Sequence, residues 1–226
     1  MTILDLPPRT APVTIADLLS RLGDIPPSRI RLHPFPGTAT QRDVVSIHDH
    51  ENVTCELVEG TLVAKPMGLR ESLLAMILAH YLNTFIEAND LGFLSGEAGT
   101  MNLFGDLVRA PDLAFISFQR LPGSEVRDKA IPRVVPDLAI EILSDGNTAA
   151  EMQRKLEEYF AAGVRLVWII DHRTRSAAVY TSVNQVTRLA DSESLEGGDV
   201  LPGFTLSLKQ LFDRLERAFN AGSARP

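Results

Sequence analysis

Residues 138–143 read Leu-Ala-Ile-Glu-Ile-Leu, apolar throughout except for one carboxylate. So short and so nearly continuous an apolar run is the mark of a strand buried on both faces. Such a strand needs a covering layer above and below its sheet, which restricts the chain to a layered α/β arrangement. The flanking segments supply the layers. "NTAAEMQRKLEEYFAAG" reads as a helix, with Thr148 and Glu151 as a capping box and Gly163 as its stop. "VRLVWIID" and "AAVYTS" read as two more strands, joined by the polar turn "HRTRS". Upstream, "CELVEGTLVAKP" alternates about Glu-Gly as a hairpin, and "LRESLLAMILAHYLNTFIEAN" is a long helix. "GFLSGEAGTMNLF" and "LVRAPDLAFIS" read as one strand each. The order of elements is hairpin, helix, three strands, helix, two strands. That pattern predicts an α/β fold with a mixed β-sheet flanked by helices.

The remainder of the chain divides simply. Residues 1–40 form a short helix, "ADLLSRLG", and a proline-rich arm. Thr40 and Asp43 open a helix over "TQRDVVSIHDH". Residues 41–215 hold the main domain, including a C-terminal amphipathic helix, and residues 216–226 form a tail. The 226 residues are 45% hydrophobic and 23% charged, as expected of a globular domain with a real core. The single cysteine, Cys55, excludes an internal disulfide and a multi-cysteine zinc site. The start of the chain lacks a signal-peptide pattern, and no apolar run approaches the ~18 residues of a membrane helix. The expected location is cytoplasmic, with no membrane partner. A net charge of −7 argues against a generally basic nucleic-acid binder, though not against a local basic groove.

Several charges stand where a plain core would have none. Asp112 follows Pro111 and leads into "LAFIS", and Glu141 lies within the next strand. If those strands pair, the two carboxylates converge at one edge of the sheet. In the helix after Glu141, Met152, Leu156, Tyr159 and Phe160 define the buried face, and Lys155 borders it. Glu71 shares a stripe of the long helix with Leu74, Leu78, Leu82 and Phe85. Buried charges are normally paired or bound to a metal. Two acids and a lysine at one edge suit phosphodiester hydrolysis, the acids holding Mg²⁺ through oxygen and the lysine assisting the attacking water.

The blocks "ELVEGTLVAKPMG", "RAPDLAFIS", "PDLAIEILS", "RKLEEYFAAGVRLVWIID" and "VLPGF" occur in an order that resembles the Uma2 family, within the PD-(D/E)XK nuclease superfamily. The resemblance spans about residues 40–215 and implies the restriction-endonuclease-like fold. It also implies an endonuclease acting on DNA with Mg²⁺, Mn²⁺ being an alternative. Pro111-Asp112 matches the PD element and Glu141 the (D/E). The usual lysine position is Leu143, and the resemblance instead puts the lysine at Lys155, which the helical count reaches on its own. Many relatives carry a histidine near the start of the first long helix, where this chain has Glu71, an accessory position. Asp112 and Glu141 are the expected metal ligands, with the backbone carbonyl of Ile142, and Glu59 in "VEGTLV" is a further accessory acid. The alternative is a nuclease-fold binding or assembly module without catalysis.

Each residue also has a plainer role to weigh. Asp112 could cap a turn, Glu141 and Lys155 could form a structural ion pair, and Glu71 could complement its helix dipole. Asp137, in "VPDLAIE", lies on the order of 13 Å along the strand from Glu141, too far to share one metal, and suits a strand start. His172 falls in a turn and reads as solvated. Arg70, Arg109, Arg133, Arg154 and Arg165 flank the site in sequence and could meet phosphates. Leu208, Leu211, Phe212 and Leu215 form one stripe of the last helix, which must cover either the domain's own core or a second subunit; a homodimer is the expectation.

Overall fold

The computed structural model describes residues 12, 14–66, 68–121 and 123–220. Residues 1–11 of the N-terminal region and 221–226 of the tail lie outside the described residues. Helix α1 (Ile15–Arg21) is followed by a 3-10 turn (Pro27–Arg29) and α2 (Gln41–Glu51). Then come β1 (Cys55–Val58), β2 (Thr61–Ala64), α3 (Leu69–Ala88), β3 (Gly92–Gly96), β4 (Met101–Phe104), β5 (Leu107–Arg109) and β6 (Leu113–Ser117). The second half holds α4 (Gly123–Asp128), β7 (Leu138–Ile142), α5 (Ala149–Ala162), β8 (Leu166–Asp171), β9 (Ser176–Ser182), β10 (Gln185–Leu189), β11 (Ser194–Glu196), β12 (Thr205–Ser207) and α6 (Leu208–Asn220).

A six-stranded sheet, in the order β10-β9-β8-β7-β6-β3, forms the centre. It is mixed, because β7 and β8 run parallel while the other pairs are antiparallel. The apolar strand β7 lies near its middle and is buried at every position. Leu138, Ile140 and Ile142 face a core built with Leu74, Leu78 and Leu82 of α3 and with α6. Ala139 faces the opposite core, with Met152, Leu156 and Tyr159 of α5. Alternation along one strand thus feeds two layers, and it turns Glu141 toward α5.

Two expected single strands are each broken in two. "LVRAPDLAFIS" becomes β5 and β6, which belong to different sheets. Pro111 is the reason, since it has no N–H to continue a ladder. "GFLSGEAGTMNLF" becomes β3 and β4, separated by a tight turn in which the Gly99 N–H donates to the Gly96 carbonyl at 2.9 Å. The detached halves β5 and β4 join the β1–β2 hairpin in a four-stranded sheet, β2-β1-β5-β4, which α2 covers. The hairpin turn is as expected, with Glu59 and Gly60 both at positive φ (49° and 68°). Strands β10, β11 and β12 lie beyond those the pattern predicts, β10 pairing with the expected β9 and β11 with β12.

The C-terminal stripe settles within the chain. Leu208, Leu211, Phe212 and Leu215 are all buried in the core shared with α3. This removes the ground on which a second subunit was expected. The helix also continues past residue 215 to Asn220. No helix among the described residues is long and apolar enough to cross a membrane.

Candidate active site

The break at Pro111 places Asp112 at the junction between the small sheet and the large one. Strand β6 pairs with β7 in a register of Leu113 with Ile140, which sets Asp112 directly opposite Glu141. Both residues line one cleft. Asp112 Oδ2 accepts the Ile142 N–H at 2.6 Å, and Asp112 Oδ1 accepts from Lys65 Nζ at 2.7 Å. Lys65 also donates to the Ala110 carbonyl at 2.5 Å.

Glu141 meets α5. Lys155 Nζ donates to both of its carboxylate oxygens at 3.0 Å, and the Tyr159 hydroxyl donates to Oε1 at 2.5 Å. Lys155 does not merely border the apolar face of α5; it is 3% exposed and lies within that face. Its second partner is Glu56, at 3.2 Å. Burial opposes the charged form of Lys155, yet the carboxylates of Glu141 and Glu56 outweigh it and hold the ammonium above the ordinary lysine range. Glu141 is lifted above the usual carboxylate range by burial, against the pull of Lys155 and with Asp112 pushing the same way. Glu56 moves in the opposite direction. Burial alone would raise it, but Lys155 and Arg109 together hold it well below the usual range.

Glu56 and Lys65 are not among the residues the sequence singles out, and Arg109, expected at most to meet phosphates, is instead buried against carboxylates. Glu56 alternates with apolar neighbours in a hairpin, the pattern of a residue facing water, yet every position of β1 is buried. The β1–β5 register of Leu57 with Val108 sets Glu56 opposite Arg109, and Arg109 Nη1 donates to Glu56 Oε2 at 2.6 Å. Arg109 also binds Glu158 of α5. The sequence ties this hairpin to the site only through the "ELVEGTLVAKP" block and Glu59 in its turn.

Asp112, Glu141, Ile142, Lys65, Lys155, Glu71 and Glu97 line a cleft between the start of α3 and the loop before α5, with about 20 Å³ of free volume. That is room for a single water molecule or a bare ion. Asp112 is the more accessible of the two facing acids, with 15% of its side chain exposed against 5% for Glu141. Among the described residues, no three His, Cys, Asp or Glu side chains come together as a cluster able to hold a metal.

The remaining expectations divide. Glu71 lines the cleft in the first turn of α3, and it is paired with His172 at 3.1 Å. His172 is therefore tied down rather than solvated, its side chain 8% exposed. Glu59 stays in the hairpin turn, outside the cleft, and binds Arg154 at 2.8 Å. Asp137 stands at the start of β7, buried, accepting the Ser117 N–H at 2.9 Å and pairing with Arg120. Four of the five arginines proposed for phosphates face carboxylates instead: Arg70 meets Glu216, Arg109 meets Glu56 and Glu158, Arg154 meets Glu59 and Glu158, and Arg165 meets Asp137. Half of the expected capping box forms on α5, with Thr148 accepting the Glu151 N–H. The Glu151 carboxylate turns away to Arg29, which grips it through two hydrogen bonds of 2.9 and 2.7 Å.

No curated protein matches the chain. The solved structure of a putative nuclease belonging to DUF820 from Anabaena variabilis matches with a TM-score of 0.65 and 22% identity, over 73% of this chain and 92% of that one. At that identity the likeness speaks for the fold, which is nuclease-like. The model of the Uma2 family, described as "Putative restriction endonuclease", matches residues 42–209. With well over half of its length in that match, the chain belongs to the Uma2 family.

Proposed function

We propose that the protein is a Mg²⁺-dependent endonuclease that hydrolyses DNA phosphodiester bonds, with Mn²⁺ able to replace Mg²⁺. The observation that carries this reading is the placement of Asp112 directly opposite Glu141, at a void the size of one ion, with an ammonium beside each. The donor set fits a hard cation, because Mg²⁺ takes oxygen ligands and needs only one or two carboxylates when water and substrate phosphate complete its shell. Asp112, Glu141 and the carbonyl of Ile142 would hold it. Bound there, the ion supplies polarisation of the phosphoryl oxygen and a lowered pKa for a water.

The chain's own groups do the rest. Tyr159 and Lys155 fix the Glu141 carboxylate between them. Lys155 stays protonated between two acids, so it acts as a charge and hydrogen-bond donor toward the attacking water or the phosphoryl oxygen, not as a base. Glu71 is an accessory acid at the wall of the cleft, and Glu59 acts at a distance by fixing Arg154. A non-catalytic binding or assembly module is the second reading. It is favoured by the neutralisation of the site, in which each of the facing acids already carries a lysine. The test is calorimetry with Mn²⁺ alongside a DNA cleavage assay. Asp112→Ala and Glu141→Ala are each expected to lose both Mn²⁺ binding and cleavage. Variants that bind Mn²⁺ like the parent would remove the proposed site, and a folded parent that neither binds Mn²⁺ nor cleaves DNA would favour the second reading.

A further inference from the structure

The cleft holds an ammonium for which the proposed reaction has no use. Lys65 follows β2, and its side chain, 6% exposed, enters the cleft beside Asp112. Its two acceptors are a carboxylate oxygen of Asp112 and the carbonyl oxygen of Ala110, at 2.7 and 2.5 Å. Those are the oxygen types that a hard divalent ion takes as ligands. The two lysines of the site are held very differently. Lys155 is shared by two buried acids, Glu141 and Glu56, and is closed in by α5. Lys65 is ion-paired with one acid, Asp112, the more exposed of the two facing carboxylates, and acts on Glu141 and Glu56 only at longer range. An aliphatic stem with several rotatable bonds lets such an ammonium leave its acid without moving the backbone.

We propose that Lys65 is a stand-in cation: it neutralises Asp112 while no metal is bound and gives the carboxylate up when a divalent ion arrives. It is then a positioning residue that sets the affinity of the site for metal. The inference rests on the reading of Asp112 as a metal ligand. Its physical core is that two cations cannot share one carboxylate at contact range without strong repulsion. The metal must displace the ammonium, and the work of doing so weakens its binding.

The experiment uses the full chain, with Mn²⁺ as the probe. Lys65→Met removes the charge and keeps the length, while Lys65→Gln keeps a neutral N–H donor for Asp112. Calorimetry is expected to show both variants binding Mn²⁺ at least ~10-fold more tightly than the parent, a small fraction of the like-charge repulsion at such range. A merely structural lysine would leave the affinity unchanged or weaken it. A second readout needs no substitution: in the parent, labelling of Lys65 by an amine-reactive reagent, followed by mass spectrometry, is expected to speed up when Mn²⁺ is added. Unchanged or weaker affinity in both variants, while Asp112→Ala still abolishes binding, overturns this inference alone. Labelling of Lys65 that is indifferent to Mn²⁺ does the same. An absence of Mn²⁺ binding in parent and variants overturns this inference and the metal-dependent reading together.

Discussion

Lys155→Met is expected to cleave DNA at least ~10²-fold more slowly than the parent, per folded molecule, the scale lost when one transition-state donor is removed. The rate has to be referred to folded protein, because Lys155 is also structural. It bridges Glu141 and Glu56, both buried, and its loss leaves two acids short of a cation. Thermal stability will fall in this variant whatever the lysine does in catalysis. Arg109→Met provides the contrast. Arg109 is equally buried and also neutralises Glu56, yet it touches neither Glu141 nor Asp112. It is expected to lower the thermal midpoint while cleavage per folded molecule stays near the parent's. Equal loss of cleavage in both variants would mean that Lys155 acts only by holding the charge network together. Lys155→Arg is not expected to restore the rate, since a planar guanidinium does not fit where a compact ammonium sits between two carboxylates.

Arg29→Ala is expected to cost about 3–5 kcal/mol of stability, the range for breaking a buried ion pair by removing one partner. Arg29 and Glu151 are both buried and meet through two hydrogen bonds, and Arg29 further donates to the carbonyls of Ala64 and Gly146 at 2.9 Å. The end of the helix before the arm also grips α5 at two points. The Thr148 hydroxyl donates to the Gly23 carbonyl, and Arg154 donates to the Arg21 carbonyl. Gly23, at φ +84°, lies so close that a Cβ there would fall 2.5 Å from the Glu151 backbone nitrogen. This arm precedes the stretch that matches the family, which begins at residue 42. It nevertheless fixes the helix that carries Lys155, one turn beyond Glu151.

The loss should depend on pH. Burial would raise the Glu151 carboxyl, but its hydrogen bonds with Arg29 and the nearby Lys155 charge prevail and hold it below the usual range. A folded-state pKa below the unfolded one gives stability that is fully present above the unfolded value, ~4.3. That stability drains away as the pH falls through the folded value. Parent and Arg29→Ala are therefore expected to differ most at neutral pH, with the gap narrowing as the pH falls below ~4.3. Chemical denaturation at pH 7 and pH 4 measures this directly, and a gap that stays constant would mean that the Arg29–Glu151 charge pair is not its source.

The sequence by itself determined the central strand, the first hairpin and the long helices with their apolar faces, but not the β9–β10 and β11–β12 hairpins or the breaks within two expected strands. An apolar run of six residues could only be a central strand, a Glu-Gly pair between alternating segments could only be a tight hairpin, and a capped amphipathic stretch could only be α5. Those local rules were enough to bring Asp112, Glu141 and Lys155 together, because Glu141 and Lys155 are near in sequence and Asp112 lies on the neighbouring strand. Tertiary structure alone decided what covers each face. Glu56 looks like a water-facing residue of a hairpin until β5 arrives with Arg109 from 53 positions away. Lys65 reaches Asp112 across 47 positions, and Arg29 reaches Glu151 across 122. The stripe of α6 announced that it needed a partner but not that the partner was its own core. Periodicity reports a preference for burial, which is a property of one segment. The identity of the burying surface, and the pairing of charges that makes burial tolerable, depends on chain closure over long separations and carries no mark in either segment alone.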